Sequence, residues 1–209
     1  GYKINSSDLS NSLVLDKVAQ TGRPINLSVG ASLVSEIQSA IDCLKVVLDL
    51  KITLMYGHQN FPTNPESVNM AYMKTLSKLF DLPFGYQDHC NADHESSFWL
   101  PAASMGMGVS ILEKHITHDR SLKGIDHESA LNPDEFIKFV SMVKNIDKSK
   151  GSSISREFSK EEIEYRKFQK KSIVSIRNLK SGTIISEDDL TFMRANEIGF
   201  SPDKIHKLI

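Results

Sequence analysis

Short apolar runs alternate five times with longer amphipathic stretches between residues 1 and 150, and this alternation restricts the fold more than any other feature. The spacing predicts strands over 2–4, 25–29, 52–56, 84–87 and 109–116. It predicts helices over 10–19, 32–48, 66–80 and 96–107, and a last one starting at Asn132-Pro133-Asp134. Strands separated by helices are joined by crossovers, so the class is α/β with a parallel sheet. Polar residues gather where each strand run ends: Asp8, Ser28, Gln59, His89, then Glu113 and His115. Ligand sites of (β/α)8 barrels and of open doubly wound sheets both lie at that end, so the pattern alone leaves both folds open. No GxGxxG follows the first strand, which argues against dinucleotide binding. Five βα units cannot close an eight-stranded barrel, so the barrel reading implies a partial barrel lacking three units at its front.

The stretch 109–126, VSILEKHITHDRSLKGID, begins apolar and turns sharply polar. Alternation along a strand puts Glu113, His115 and Thr117 on one face and Lys114 and Ile116 on the other. A carboxylate and an imidazole two residues apart, where a strand leaves the core, can form half of a metal site. Asp126 lies in a loop able to fold back over the same strand end. The plainer reading is a half-buried histidine beside a surface carboxylate. His115 and His118 are three apart and point to opposite faces of a strand, so they cannot share an ion. His58, His94, His118 and His127 read as surface or supporting residues. Asp93-His94-Glu95 reads more simply as a helix cap than as a ligand cluster. Cys90 beside His89 is a poor nucleophile pair, because adjacent side chains rarely aim at one another.

Composition excludes several classes. The chain has 209 residues, 40% of them hydrophobic, with a formal net charge of −1. There is no basic excess for nucleic acid, and no apolar run approaches the ~18 residues of a membrane span. The start, GYKINSSDLS, is polar and lacks an initiator Met, so it reads as beginning mid-protein. Two cysteines without a CxxC pairing make a disulfide framework improbable and suit a cytoplasmic protein.

Composition shifts after residue 148. Residues 149–171 read as a charged linker with room for a short helix, and 172–209 as a small β-rich module that stops unfinished, against 1–148 for the α/β part. Within the module, 172–176 and 191–194 read as strands and 186–190 as a helix start. Lys3 and Asp8 by themselves read as surface charges, and Arg194 as a solvated strand-edge charge.

In order, YKINSSDL, GRPINLSVG, YGHQNFPT, GYQDHC, ILEKHITHDRSLKGIDHESALNPDEF and KSGTIISEDDLTFMRA resemble the sialic acid synthase family over nearly the whole chain. The fifth segment is long and specific; the others are individually weak. The resemblance implies a (β/α)8 (TIM) barrel, here its fourth to eighth strands, followed by an antifreeze-like (SAF) domain. It implies condensation of phosphoenolpyruvate with an N-acetylmannosamine-type N-acyl hexosamine. It assigns His89 and His115 to a divalent metal, Mn²⁺ or else Mg²⁺, and places Glu113 and Asp126 near metal and sugar as catalytic carboxylates. It assigns Lys3, Ser6 and Ser28 to phosphoenolpyruvate, with Gln59 at a phosphate-binding position, and Asp8 to the sugar. Arg194 falls where the second domain reaches a partner's site in a domain-swapped homodimer. The 209-residue piece alone is expected to be inactive. Three residues depart from the usual pattern: Gln59 for Asn, Phe61 for Tyr, and Gln87 for the Ser of SDH. They leave the histidine pair intact and open the alternatives of a legionaminic or pseudaminic acid synthase. A non-catalytic sugar-binding relative is the remaining alternative.

Overall fold

The computed structural model describes residues 1–195 and 197–209, in two compact units, 1–151 and 152–209. In the first unit, β1 (Tyr2–Ile4), β2 (Ile25–Ser28), β3 (Ile52–Tyr56), β4 (Phe84–Asp88) and β5 (Ile111–Lys114) form one sheet in sequential order. Every neighbouring pair is parallel, and the sheet curls into a half-barrel. The helices are α1 (Ser12–Ala19), α2 (Val34–Leu44), α3 (Ala71–Phe80), α4 (Ser96–Gly106) and α5 (Pro133–Lys150).

The core forms because one strand face and one stripe of each helix are apolar. Ile25, Leu27, Leu54 and Tyr86 are fully buried with Ile37, Ile41 and Leu44 of α2 and Met73 and Leu76 of α3. Each such aliphatic side chain contributes about 1.5–3 kcal/mol over an exposed one. Helix ends follow local chemistry. Asn11 accepts from the Val14 amide at the start of α1, and the Asn132 amide donates to Glu135 at the start of α5.

Three elements differ from the sequence expectation. The helix expected over 32–48 is shorter, α2 running only from Val34 to Leu44. Residues 66–80 do not form one helix: Pro65–Ser67 is a 3-10 turn, Asn69 sits at φ 48°, and α3 begins only at Ala71. A left-handed residue interrupts the helical ladder there. The strand expected over 109–116 is shorter. Beyond Lys114 the backbone turns to bond Leu131, which donates to the His115 carbonyl while Thr117 donates back to the Leu131 carbonyl. That exchange ties the loop carrying Asp126 to the end of β5.

In the second unit, α6 (Lys160–Gln169) starts at Ser159, whose hydroxyl accepts from the Glu162 amide. β6 (Ser172–Ser175) and β7 (Leu190–Met193) pair antiparallel, with Val174 opposite Thr191. Asp189 accepts from the Ser186 amide and from Arg177 Nε at 2.8 Å. Among the described residues, no helix is long and apolar enough to cross a membrane.

Candidate functional site

Because alternate residues of a strand face alternate sides, odd-numbered positions of β4 and β5 turn inward to the concave face. Register then decides which side chains meet: Gln87 lies beside Glu113 across the β4–β5 pair, and Ser28 beside Met55 across β2–β3. At the C-terminal ends of the strands, Lys3, Ser6, Ser28, Gln59, His89, Glu113, His115 and Asp126 line one cavity of about 410 Å³. Asn5, Ser7, Phe61 and Gln87 complete the wall. Of the ten positions singled out in the sequence, these are eight. Asp8 lies outside the wall and accepts a hydrogen bond from Asn11. Arg194 is exposed, just past β7 in the second unit.

The histidine pair is held from behind. His89 is buried, and its Nδ1 lies 2.7 Å from the His58 carbonyl oxygen. A carbonyl only accepts, so Nδ1 carries the proton and Nε2 is left with its lone pair. The His58 side chain itself is exposed; its backbone is what acts. Burial pushes the His89 imidazole below its ordinary value, and His115 adds to this, opposed by the His58 carbonyl. The His89 and His115 rings lie 5.4 Å apart, centroid to centroid, with Phe61 against both, at 4.3 and 5.6 Å.

Carboxylate and cation meet across the cavity, Glu113 from β5 and Lys3 from β1. Lys3 Nζ donates to Glu113 Oε1 at 2.6 Å, and Gln87 Nε2 donates to the same oxygen at 3.0 Å. Lys3, assigned by resemblance to phosphate, is thus paired with the carboxylate assigned to the sugar side. Two buried polar atoms have no hydrogen-bond partner among the described residues on this wall, Ser28 Oγ and Gln87 Oε1. Orphaned buried polar atoms cost stability, so native sites tend to keep them for a ligand or water.

The donor set fits a divalent ion in part. A neutral imidazole with its second nitrogen on a carbonyl is the ordinary form of a histidine ligand. Among the described residues no cluster of three or more His, Cys, Asp and Glu side chains converges on one point, so His89 and His115 would supply two positions. Oxygen donors from substrate or water suit the others for Mn²⁺ or Mg²⁺.

Sequence reasoning missed the supports behind this wall. Asp88 and Lys114 form an ion pair on the opposite face of β4 and β5, both side chains only 1% exposed, and Tyr86 Oη donates to Asp88 at 2.9 Å. Charged residues inside apolar strands were the available signal, but only the register pairs them. Arg120 grips Glu135 with both terminal nitrogens, at 2.6 and 2.9 Å, and Asp93 at 2.5 Å. It closes the loop that carries Asp126. The expected cap of α4 comes from His94, whose Nδ1 accepts from the Ser96 amide; Asp93 serves Arg120 instead. Gly57 permits the approach of β4, since a Cβ there would lie 2.6 Å from the Gln87 carbonyl oxygen and 3.2 Å from His89 Cε1.

Comparison with known proteins places the chain. Residues 1–155 match the model of the NeuB family. A protein of Methanocaldococcus jannaschii is 35% identical over 92% of this chain and 56% of its own length. The N,N'-diacetyllegionaminic acid synthase of Legionella pneumophila is 31% identical over 99% of this chain and 57% of its own. The crystal structure of N-acetylneuraminic acid synthetase from Leptospira borgpetersenii, in complex with citrate, superposes with a TM-score of 0.68. It is 32% identical over 78% of this chain and 56% of that one. The chain therefore spans a little over half the length of the relatives it matches. On the family match and the half-barrel together, this chain belongs to the NeuB family.

Proposed function

We propose that the protein carrying this chain condenses phosphoenolpyruvate with N-acetylmannosamine or a similar N-acyl hexosamine, forming a sialic acid and releasing phosphate. The observation that supports this most is the gathering of Lys3, Ser28, His89, Glu113, His115 and Asp126 around one cavity at the strand ends.

A divalent ion on His89 and His115 would act as a Lewis acid toward the sugar's aldehyde oxygen. Carbon 3 of phosphoenolpyruvate attacks the aldehyde carbon, and positive charge develops at carbon 2. Water adds there, and phosphate departs with cleavage of its bond to carbon 2. Lys3 and the hydroxyls of Ser6 and Ser28 hold the anion's oxygens, with Gln59 beside them. When the anion draws Lys3 away, Glu113 keeps only Gln87 as a donor, and its freed oxygen can take the proton of the attacking water. Asp126, in the loop latched by Arg120, stands across the cavity to orient that water or a sugar hydroxyl. Asp8, given to the sugar by the resemblance, lies outside this cavity wall and has no part in the scheme.

The same reading assigns residues 172–209 to an antifreeze-like domain. It gives Arg194 the role of contacting the sugar in a partner's site of a domain-swapped homodimer working in the cytoplasm. A second reading, legionaminic or pseudaminic acid synthesis, fits Gln59, Phe61 and Gln87 as well and is supported by the Legionella relative. The test is phosphate release from phosphoenolpyruvate by the complete protein, metal-stripped and then given Mn²⁺. It is run with N-acetylmannosamine and with 2,4-diacetamido hexoses, beside His115→Ala. Metal-dependent release lost in the variant supports the synthase reading, and the preferred sugar decides between the two. Absence of phosphate release with every sugar tested would favour a non-catalytic sugar-binding protein.

A further inference from the structure

His89 and His115 sit where their strands part. The β4–β5 ladder ends at Asp88 opposite Lys114. The next bridges diverge: Cys90 pairs with Thr63, in the connection from β3, and Ile116 pairs with Leu131, in the loop after β5. Two strand ends that diverge need a separate tie to fix their spacing.

Ser129 supplies one. It is 0% exposed and ends the short 3-10 turn His127–Ser129 that follows Asp126. Its hydroxyl donates to the His89 carbonyl oxygen at 2.7 Å. Two residues on, the Leu131 amide donates to the His115 carbonyl oxygen at 3.0 Å. Residues 129–131 thus hold the backbones of both histidines. The Ser129 amide also donates to the Asp126 carbonyl oxygen at 3.0 Å, which sets where Asp126 enters the cavity wall. Of these three ties, the hydroxyl is the one made by a side chain, so a substitution removes it alone. The His89 carbonyl keeps a second donor, the Thr63 amide at 2.8 Å, so losing the hydroxyl does not orphan a buried oxygen.

We propose, resting on the assignment of a divalent ion to His89 and His115, that Ser129 is a positioning residue. Its hydroxyl fixes the His89 backbone to the segment that holds His115 and Asp126, and so sets the spacing of the two imidazoles. Being fully buried, it touches no substrate itself. A merely structural hydroxyl is available for comparison. Ser104 is also 0% exposed, and its Oγ donates to the Pro101 carbonyl oxygen at 2.7 Å, within α4 and outside the cavity wall.

The test compares Ser129→Ala with Ser104→Ala in the complete, metal-stripped protein. Mn²⁺ alone is titrated in and followed by electron paramagnetic resonance, at a temperature where both variants are folded. Each loses one buried hydroxyl bond to a carbonyl, so urea denaturation finds similar losses of stability. The Mn²⁺ dissociation constant rises about tenfold in Ser129→Ala and stays within about twofold of the wild type in Ser104→Ala. Ser129→Cys, close in size and a weaker donor, moves the constant the same way by less, and it serves if the Ala variant does not fold. Unchanged affinity in Ser129→Ala, or an equal loss in Ser104→Ala, overturns the inference. If His115→Ala has meanwhile lost the ion, the metal assignment stands. A wild type that binds no Mn²⁺, or a site that survives both histidine substitutions, overturns the assignment and this inference together.

Discussion

The two sides of the cavity are built differently. On the β4–β5 side, His89 and Gln87 are buried, and behind them the Asp88–Lys114 pair is sealed from water. From β1, the Lys3 side chain, 38% exposed, reaches Glu113 of β5, whose side chain is 31% exposed. The His89–Gln87 wall is fixed before any ligand arrives; Lys3 on the edge strand β1 is held only by a half-solvated ion pair and is free to exchange partners. The difference suits the two tasks proposed above. Holding one ion between two imidazoles needs rigid support from behind. Catching an anion needs a cation that can leave its resting partner, and a pair that exposed is worth only ~0–1 kcal/mol.

The contrast breaks most visibly at Asp88. Asp88→Ala leaves Lys114 charged and buried, which costs about 3–5 kcal/mol. Urea denaturation of the complete protein reads that loss. Asp88→Leu with Lys114→Met recovers most of it, because replacing a buried pair by apolar groups is often neutral. Gly57→Ala comes next. Its methyl group meets the Gln87 carbonyl and His89, so stability falls by about 1–3 kcal/mol. Mn²⁺ affinity falls with it, followed by titration of the metal-free protein. On the other side, Lys3→Met changes stability by less than ~1 kcal/mol. It raises the KM for phosphoenolpyruvate, while Mn²⁺ binding in the absence of substrate stays as in the wild type.

Two smaller effects sharpen the comparison. Arg120, followed by burial working the other way, holds the Glu135 carboxyl below its ordinary 4.5. A depressed folded value means this latch stabilises the fold above about pH 4.5 and is lost as the pH falls below it, as proton binding favours the unfolded chain. Acid titration of Arg120→Met should therefore lose less stability below pH 4.5 than the wild type does. Cys90, behind the end of β4, is fully buried, and burial pushes its thiol up to about 12. Iodoacetamide should leave it unmodified at pH 8 until denaturant is added; rapid labelling of the native protein would show that this side opens.

Much of the sheet was legible because a buried parallel strand reads as a nearly continuous apolar run, as Ile52 to Tyr56 does with Thr53 its one polar residue. The strand-end rule also placed Ser28, Gln59, His89, Glu113 and His115 on one rim without any contact being known, but it named Asp8 with them, which lies outside the wall. What stayed hidden depends on register or on backbone detail. The Asp88–Lys114 and Gln87–Glu113 pairs each join residues 26 apart, and a one-residue slip would separate them. The support of His89 comes from a backbone carbonyl, to which the residue type at position 58 gives no clue. The end of β5 was placed too late because Leu131, 15 residues beyond Ile116, takes over its hydrogen bonds.

The most direct measurement is Mn²⁺ binding to the complete, metal-stripped protein by electron paramagnetic resonance, without substrates, in the wild type, His89→Ala, His115→Ala and Lys3→Met. The account predicts one site in the wild type, kept in Lys3→Met and lost in both histidine variants. A site that survives both histidine substitutions, or that disappears with Lys3, would contradict it.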